Sequence, residues 1–290
     1  MAFGITPGTK RLISTTPASL FVNKFFKNVV DAAPKEHIVR ELVRPIGMQT
    51  PPTSQTVYSK GNSFREMFDR DKTEKRSQEL GVEFSKSGMY ELHAFQKHGG
   101  KMFISPKSYW RADRALYFPH LKGTSLSGLT KDLEETLKGK TSVVRLFTNK
   151  VGDDLSKQYF QNRELDLDYL GKDLEKLATS NTQIVEVSFL ENAVKSIIAK
   201  LSAYKLRSLI PPLRHANYFQ CDRDQLPFTV RESLEINNIY TGYVIVVDPD
   251  LKIRWMACGA ASEDEFKLLW KCVRGVRKEF APPSQASEAL

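Results

Sequence analysis

The stretch Tyr243-Val-Ile-Val-Val-Asp-Pro-Asp-Leu-Lys-Ile-Arg-Trp-Met-Ala-Cys-Gly259 decides the reading of this chain. It predicts strand, tight turn, strand. The run Tyr243–Val247 is almost wholly apolar, as in a central strand covered on both faces. Asp248-Pro-Asp-Leu251 supplies turn chemistry. In the second strand, period two puts Leu251, Ile253, Trp255 and Ala257 on one face, assigned to the core. Lys252, Arg254 and Met256 fall on the other, expected to be partly wet. A helix follows at once. Ser262-Glu-Asp-Glu265 is a capping box, and Phe266, Leu269, Trp270 and Val273 form the inward stripe. Lys267, Lys271, Arg274 and Lys278 form a basic stripe on another face.

Working back, further strands and helices alternate. Ser142–Thr148 (SVVRLFT) is rich in β-branched and aromatic residues. Residues 153–178 read as helical, with an acidic break at 166–168. Gln183–Phe189 alternates as a strand, and 193–207 has a helical period ended by Pro211-Pro212. Asn217–Cys221 is a strand, and 227–235 a short helix with proline near its start. The order β-α-β-α-β-α-β-β-α implies a parallel sheet closed by an antiparallel hairpin. The expected fold is thioredoxin-like or peroxiredoxin-like: an α/β two-layer domain with a central mixed sheet.

That domain is expected over 116–280, with a disordered tail at 281–290. Residues 32–115 are read as linker and charged helical extension. Pro45, Pro51 and Pro52 mark an extended linker at 45–60. Helical stretches are expected around 63–80 and 89–98, broken by Gly99-Gly100. No acidic residue precedes Asp31, while Lys10, Arg11, Lys24 and Lys27 are basic and Ser and Thr are frequent. This is the pattern of a mitochondrial transit peptide over 1–31; the plainer alternative is a disordered basic tail. Loss of those four bases would lower the net charge from +9 to about +5.

The basic balance, with a pI of 9.3, favours an anionic contact without choosing among nucleic acid, acidic lipid and an acidic partner. No apolar run approaches the ~20 residues needed to span a bilayer. Three cysteines, Cys221, Cys258 and Cys272, show no Cys-x-x-Cys spacing, so a disulfide framework is not expected. A redox enzyme of this fold needs a low-pKa thiolate at the N-terminus of the helix after the first core strand. Here that loop is Asn149-Lys-Val-Gly-Asp-Asp-Leu155, without cysteine. Tyr240-Thr-Gly-Tyr243 has Gly242 where redox relatives have proline. The five histidines lack zinc-site spacing, and no phosphate loop or nucleophile elbow occurs. No metal, cofactor, catalytic residue, nucleic acid or small-molecule substrate is expected.

Leu116-Tyr-Phe-Pro-His-Leu-Lys-Gly123, VVRLFT, Ile210-Pro-Pro-Leu-Arg-His-Ala-Asn-Tyr218, Leu226-Pro-Phe-Thr-Val-Arg-Glu-Ser233 and the stretch from Tyr240 to Gly259 resemble the fungal mitochondrial ATP synthase assembly factor "ten" family. The resemblance covers about residues 60–280. It implies a chaperone-like protein, peripheral on the matrix side of the mitochondrial inner membrane. It also implies help for incorporation of subunit a (subunit 6) into the Fo sector, and carries no catalytic residues. Candidate partner contacts, read from the residues themselves, are Arg254, Lys267, Lys271 and Arg274. The stripe's plainer reading is a solvated helix face. The competing function is a divergent thiol oxidoreductase using Cys258 or Cys221.

Overall fold

In a computed structural model, the described residues are 36–58, 70–86, 88–191 and 204–281. The expected transit peptide, the C-terminal tail from 282 and most of the expected helix at 193–207 lie outside them. The chain divides into two compact units. The described part of the smaller one, 70–86, is helix α1, Arg70–Ser85, and one turn residue; within it Arg76 and Glu79 pair at 3.2 Å one turn apart.

The larger unit is built on a seven-stranded mixed sheet. Its first helix is α2 (Met89–His98). Strands β1 (Lys122–Ser125) and β2 (Thr130–Asp132) form a hairpin followed by α3 (Leu133–Leu137). Then come β3 (Thr141–Phe147), α4 (Lys150–Lys157), a small hairpin of β4 (Gln161–Asn162) and β5 (Leu167–Asp168), and α5 (Leu174–Ala178). The chain continues through β6 (Thr182–Leu190), a helical piece at 204–209, β7 (Tyr218–Asp222) and α6 (Phe228–Ser233). Strands β8 (Tyr243–Val247) and β9 (Ile253–Cys258) and helix α7 (Glu263–Glu279) end it.

The sheet order is β2-β1-β7-β6-β3-β8-β9. Strands β3, β6 and β7 run parallel, and β8 and β9 return antiparallel. This parallel core with a closing hairpin and a final helix is the thioredoxin-like arrangement expected from the sequence. The central strands are buried on both sides because each side has its own cover. Val143, Ile184, Val244 and Val246 pack with Phe266, Leu269, Trp270, Val273 and Val276 of α7. Val144, Val185, Val187, Ile245 and Val247 pack on the opposite side with residues of the extension, α3 and α6.

The extension is therefore part of the fold, and the packed unit begins before 116. Ala94, Met102, Phe103, Trp110 and Ala115 share the core with β8 and β9. The expected linker is also seated: Ile46 is buried, and Met48 exchanges backbone hydrogen bonds of 2.8 Å with Tyr117. The helical stretch expected over 153–178, with its break at 166–168, is α4 and α5 separated by the β4–β5 hairpin, so the interruption is longer than expected. The Asn162 side chain accepts the Leu165 N–H at 2.9 Å, and Asp166 has φ 51°; both favour a turn over helix.

Candidate functional site

The position that carries thiol chemistry in this fold lies where β3 gives way to α4. Asn149 caps α4: its Oδ1 accepts the Gly152 N–H at 3.0 Å, and its Nδ2 donates to the Ile239 carbonyl at 2.8 Å. One side chain thus fixes the helix start and ties it to the loop before β8. Gly152 and Gly242 bring two backbones together there. A Cβ on Gly152 would lie 2.6 Å from the Thr241 carbonyl oxygen, and one on Gly242 would lie 2.1 Å from the Gly152 oxygen. The packing leaves no room for a side chain at either position. Thr241 donates its hydroxyl to the Gly100 carbonyl at 2.7 Å, so the extension also fastens here.

The three cysteines are buried elsewhere. Burial pushes the Cys258 thiol up to about 11, despite hydrogen bonds to the backbone of Met102 and Phe103 and the nearby Lys101 cation. Burial likewise raises Cys272 to about 12 and Cys221 further. All three stay protonated and inaccessible near neutrality, the opposite of a reactive thiol's environment.

Arg254 is not on a wet face. Strand β9 carries a bulge: Val246 pairs with Trp255 and Val247 with Ile253, so Arg254 has no partner across the ladder. The extra residue breaks period two. Ile253, Met256 and Cys258 join one core and Trp255 and Ala257 the other. Arg254 is 0% exposed. Its Nε donates to the Trp110 carbonyl at 2.6 Å, and its two terminal nitrogens reach Asp248 at 3.1 Å and Glu279 at 2.6 Å. It is a structural clamp between the extension, the hairpin and the end of α7, which corrects its assignment as a partner contact.

Lys267, Lys271 and Arg274 stand exposed on α7. Lys267 pairs with Glu263 one turn earlier, whereas Lys271 and Arg274 have no ion-pair partner among the described residues. The helix starts with the expected capping box. Glu265 of that box also receives Lys101 at 2.5 Å, and Lys101 donates to the carbonyls of Cys258 and Ala260 at 2.9 and 2.8 Å. No local sequence pattern marks this clamp, since Lys101 is 164 residues from its carboxylate.

A buried charge network joins α4 to β3 and β6. Arg145 of β3 bonds Asp153 at 2.7 Å and Glu186 of β6, and Glu186 is shared with Arg214 at 2.6 Å. Burial pushes the Asp153 carboxyl up, but Arg145 and Lys157 outweigh it and hold the group below its ordinary value. These charges pair with one another, only the Arg145 Nε among them being buried without a partner, and read as structural. Among the described residues one group brings metal-type ligand atoms together: His120, Asp132 and Glu134, at the β2 edge of the sheet.

The family model described as "ATP10 protein" matches residues 27–276. The chain is 50% identical over 272 residues to the protein of Eremothecium gossypii named mitochondrial ATPase complex subunit ATP10, covering 94% of this chain and 98% of that one. It is 49% identical over 267 residues to the protein of the same name from Candida glabrata, covering 92% and 95%. Among solved structures, it is similar to a thiol:disulfide interchange protein from Bacteroides sp. (20% identity, 59% of this chain and 96% of that one, TM-score 0.37). Another is the peroxidoxin BcpB from Mycobacterium tuberculosis (13% identity, 58% and 97%, TM-score 0.34). With a family model spanning nearly the whole chain and relatives near 50% identity over almost their full lengths, the chain belongs to the ATP10 protein family.

Proposed function

We propose that this protein is an assembly factor of the mitochondrial ATP synthase that acts by binding a client and performs no thiol chemistry. The observation that carries the non-enzymatic reading is the sealed β3–α4 junction. A family member with a redox-type frame has a glycine–glycine backbone contact where a thiol would have to sit. Its named relatives are subunits of the mitochondrial ATPase complex, which supports the compartment and the assembly role.

The client is newly made subunit a (subunit 6), held until it joins the Fo sector at the matrix face of the inner membrane. Among the described residues no helix is long and apolar enough to cross a membrane, in keeping with peripheral attachment. Lys267, Lys271 and Arg274 are the proposed contacts, since exposed bases attract anionic headgroups or acidic partner segments. Arg254 leaves the proposal because it is buried. Crosslinking during mitochondrial translation tests the client: adducts with subunit a are expected, and their absence would sink the chaperone reading. A Cys221→Ser, Cys258→Ser, Cys272→Ser variant tests the chemistry. Retained assembly is expected, and a stably folded variant without assembly activity would return the thiol reading.

A further inference from the structure

We infer that His120, Asp132 and Glu134 form a binding site for a divalent cation of the zinc class. The site follows from the β1–β2 hairpin. Lys122 pairs with Asp132 and Gly123 with Lys131. The strand ends at Asp132, and the first turn of α3 then brings Glu134 to His120. Asp132, at the N-cap of that helix, lies beside them. The Leu133 N–H, bonded to the Leu121 carbonyl at 2.8 Å, holds the register there. The Tyr58 hydroxyl accepts the His120 N–H at 2.7 Å and fixes the backbone on the other side.

The three side chains each offer a ligand atom, and these atoms lie within 4.8 Å of one another. Some point lies within about 2.8 Å of all three corners of any such triangle, against about 2.0–2.2 Å for zinc to nitrogen or oxygen in a formed site. Small side-chain rotations close that difference.

Two details ask for a cation there. Asp132 is 9% exposed and occupies the N-cap position of α3, yet its carboxylate makes no cap bond. No hydrogen bond to another described residue satisfies it. It is aimed at the cluster instead. Glu134 uses one oxygen to meet His120 Nδ1 at 2.7 Å, and its other oxygen, Oε2, is buried without a partner. Two carboxylates so placed repel each other, and no lysine or arginine among the described residues pairs with either. A divalent cation with a neutral imidazole makes the group electrically neutral and supplies a partner for the unmatched Glu134 oxygen and for Asp132. One nitrogen and two oxygens suit zinc before magnesium, which prefers oxygen and retains its waters. Three protein ligands leave a fourth position for water or a side chain of a partner.

The test uses the full chain stripped with chelator, titrated calorimetrically with zinc chloride and separately with magnesium chloride, and melted with and without zinc. One equivalent of zinc, with a raised Tm, is expected. His120→Ala should weaken binding more than about 100-fold, beyond the 10–100-fold cost of losing an outer partner of a metal site. Asp132→Asn should weaken it similarly while its metal-free Tm is no lower than that of the wild type, which separates ligation from folding. His37→Gln, at a second histidine cluster where His37 and His98 rings lie 5.5 Å apart, should leave binding unchanged. The site is overturned if zinc does not saturate at one equivalent, if His120→Ala and Asp132→Asn bind as wild type, if His37→Gln removes binding, or if magnesium binds equally well. This site stands independently of the client and of the assembly role.

Discussion

Replacing Arg254 by methionine isolates what a buried arginine does in a bulged strand. The substitution keeps an unbranched apolar stem and removes the guanidinium. Arg254 and Asp248 are both 0% exposed, whereas Glu279 is 40% exposed. The bond to Glu279 is therefore of the surface kind, about 0–1 kcal/mol. The remaining loss concentrates on two acceptors. The Trp110 carbonyl loses its 2.6 Å donor. Asp248 loses its cation while keeping the Asp250 and Lys252 N–H groups, at 3.0 and 2.9 Å, on its other oxygen. Burial already pushes the Asp248 carboxyl up, with Arg254 and the backbone donors opposing; without the cation that opposition weakens. Each buried acceptor left unmatched costs about 1–3 kcal/mol, and breaking one side of a buried pair costs about 3–5 kcal/mol. At about 2–4 °C per kcal/mol for a domain of this size, Tm should fall by about 6–20 °C. The assay is thermal and urea unfolding of Arg254→Met, Asp248→Asn and the double variant. The double variant should be less destabilised than the sum of the singles, because a neutral amide at position 248 no longer needs a cation. A Tm within about 2 °C of wild type for Arg254→Met, or strict additivity in the cycle, would refute the reasoning. Charge reversal on Lys271 and Arg274, by contrast, should leave Tm near wild type, since exposed substitutions away from such networks change stability by about ±0.5 kcal/mol.

Three further outcomes follow from the geometry. Gly242→Ala forces a methyl against the Gly152 carbonyl and should destabilise by about 1–3 kcal/mol in urea unfolding; wild-type stability would mean the two backbones are not in contact. None of the three buried thiols should react with a maleimide in the native protein at pH 8, and all three should react in denaturant; rapid native labelling would contradict their burial. Asp153 has a folded-state pKa below its unfolded value, so its contribution is present above the unfolded value of about 3.9. It is lost as pH falls through the lower folded value. Asp153→Asn should therefore flatten the acid limb of the stability–pH profile below about pH 4, and an unchanged acid limb would remove Asp153 from the account.

Local chemistry made the end of the chain legible. The capping box, the β-branched strands and the α7 stripe each follow from residues within one element. What was not legible depended on one residue shifting a register. The bulge at Arg254 undoes an alternation that predicts Ile253 and Trp255 on one face, and no composition signal marks it. The β1–β2 hairpin did leave a sign: Ser127-Gly128, with Gly128 at φ 94°, is turn chemistry. That turn pairs Lys122 with Asp132 and so brings His120 near Asp132 and the start of α3, at a spacing no linear metal motif describes. The Arg145–Glu186–Arg214 network joins two strands and the short 3-10 helix Pro212–Asn217, so only the parallel pairing of Arg145 with Glu186 brings it together.

The extension shows why the frame's usual site became a fastening point. Gly100 and Lys101 lie against the end of β9: a Cβ on Gly259 would meet the Gly100 carbonyl at 2.6 Å. The Lys101 ammonium then lies within hydrogen-bond reach of two carbonyls, the Tyr159 hydroxyl at 3.0 Å and Glu265 of the capping box, four acceptors sharing its three N–H groups. That carboxylate also lies in the first turn of α7, where the helix dipole favours it. Thr241 bonds Gly100 from the loop facing Gly152. One short segment of the extension thus contacts both the loop over the α4 N-terminus and the start of α7. Lys101→Met should consequently loosen two places at once, raising amide exchange at 241–243 and at 262–266 together. Faster exchange confined to 262–266 would refute the coupling and leave Lys101 as a local cap alone.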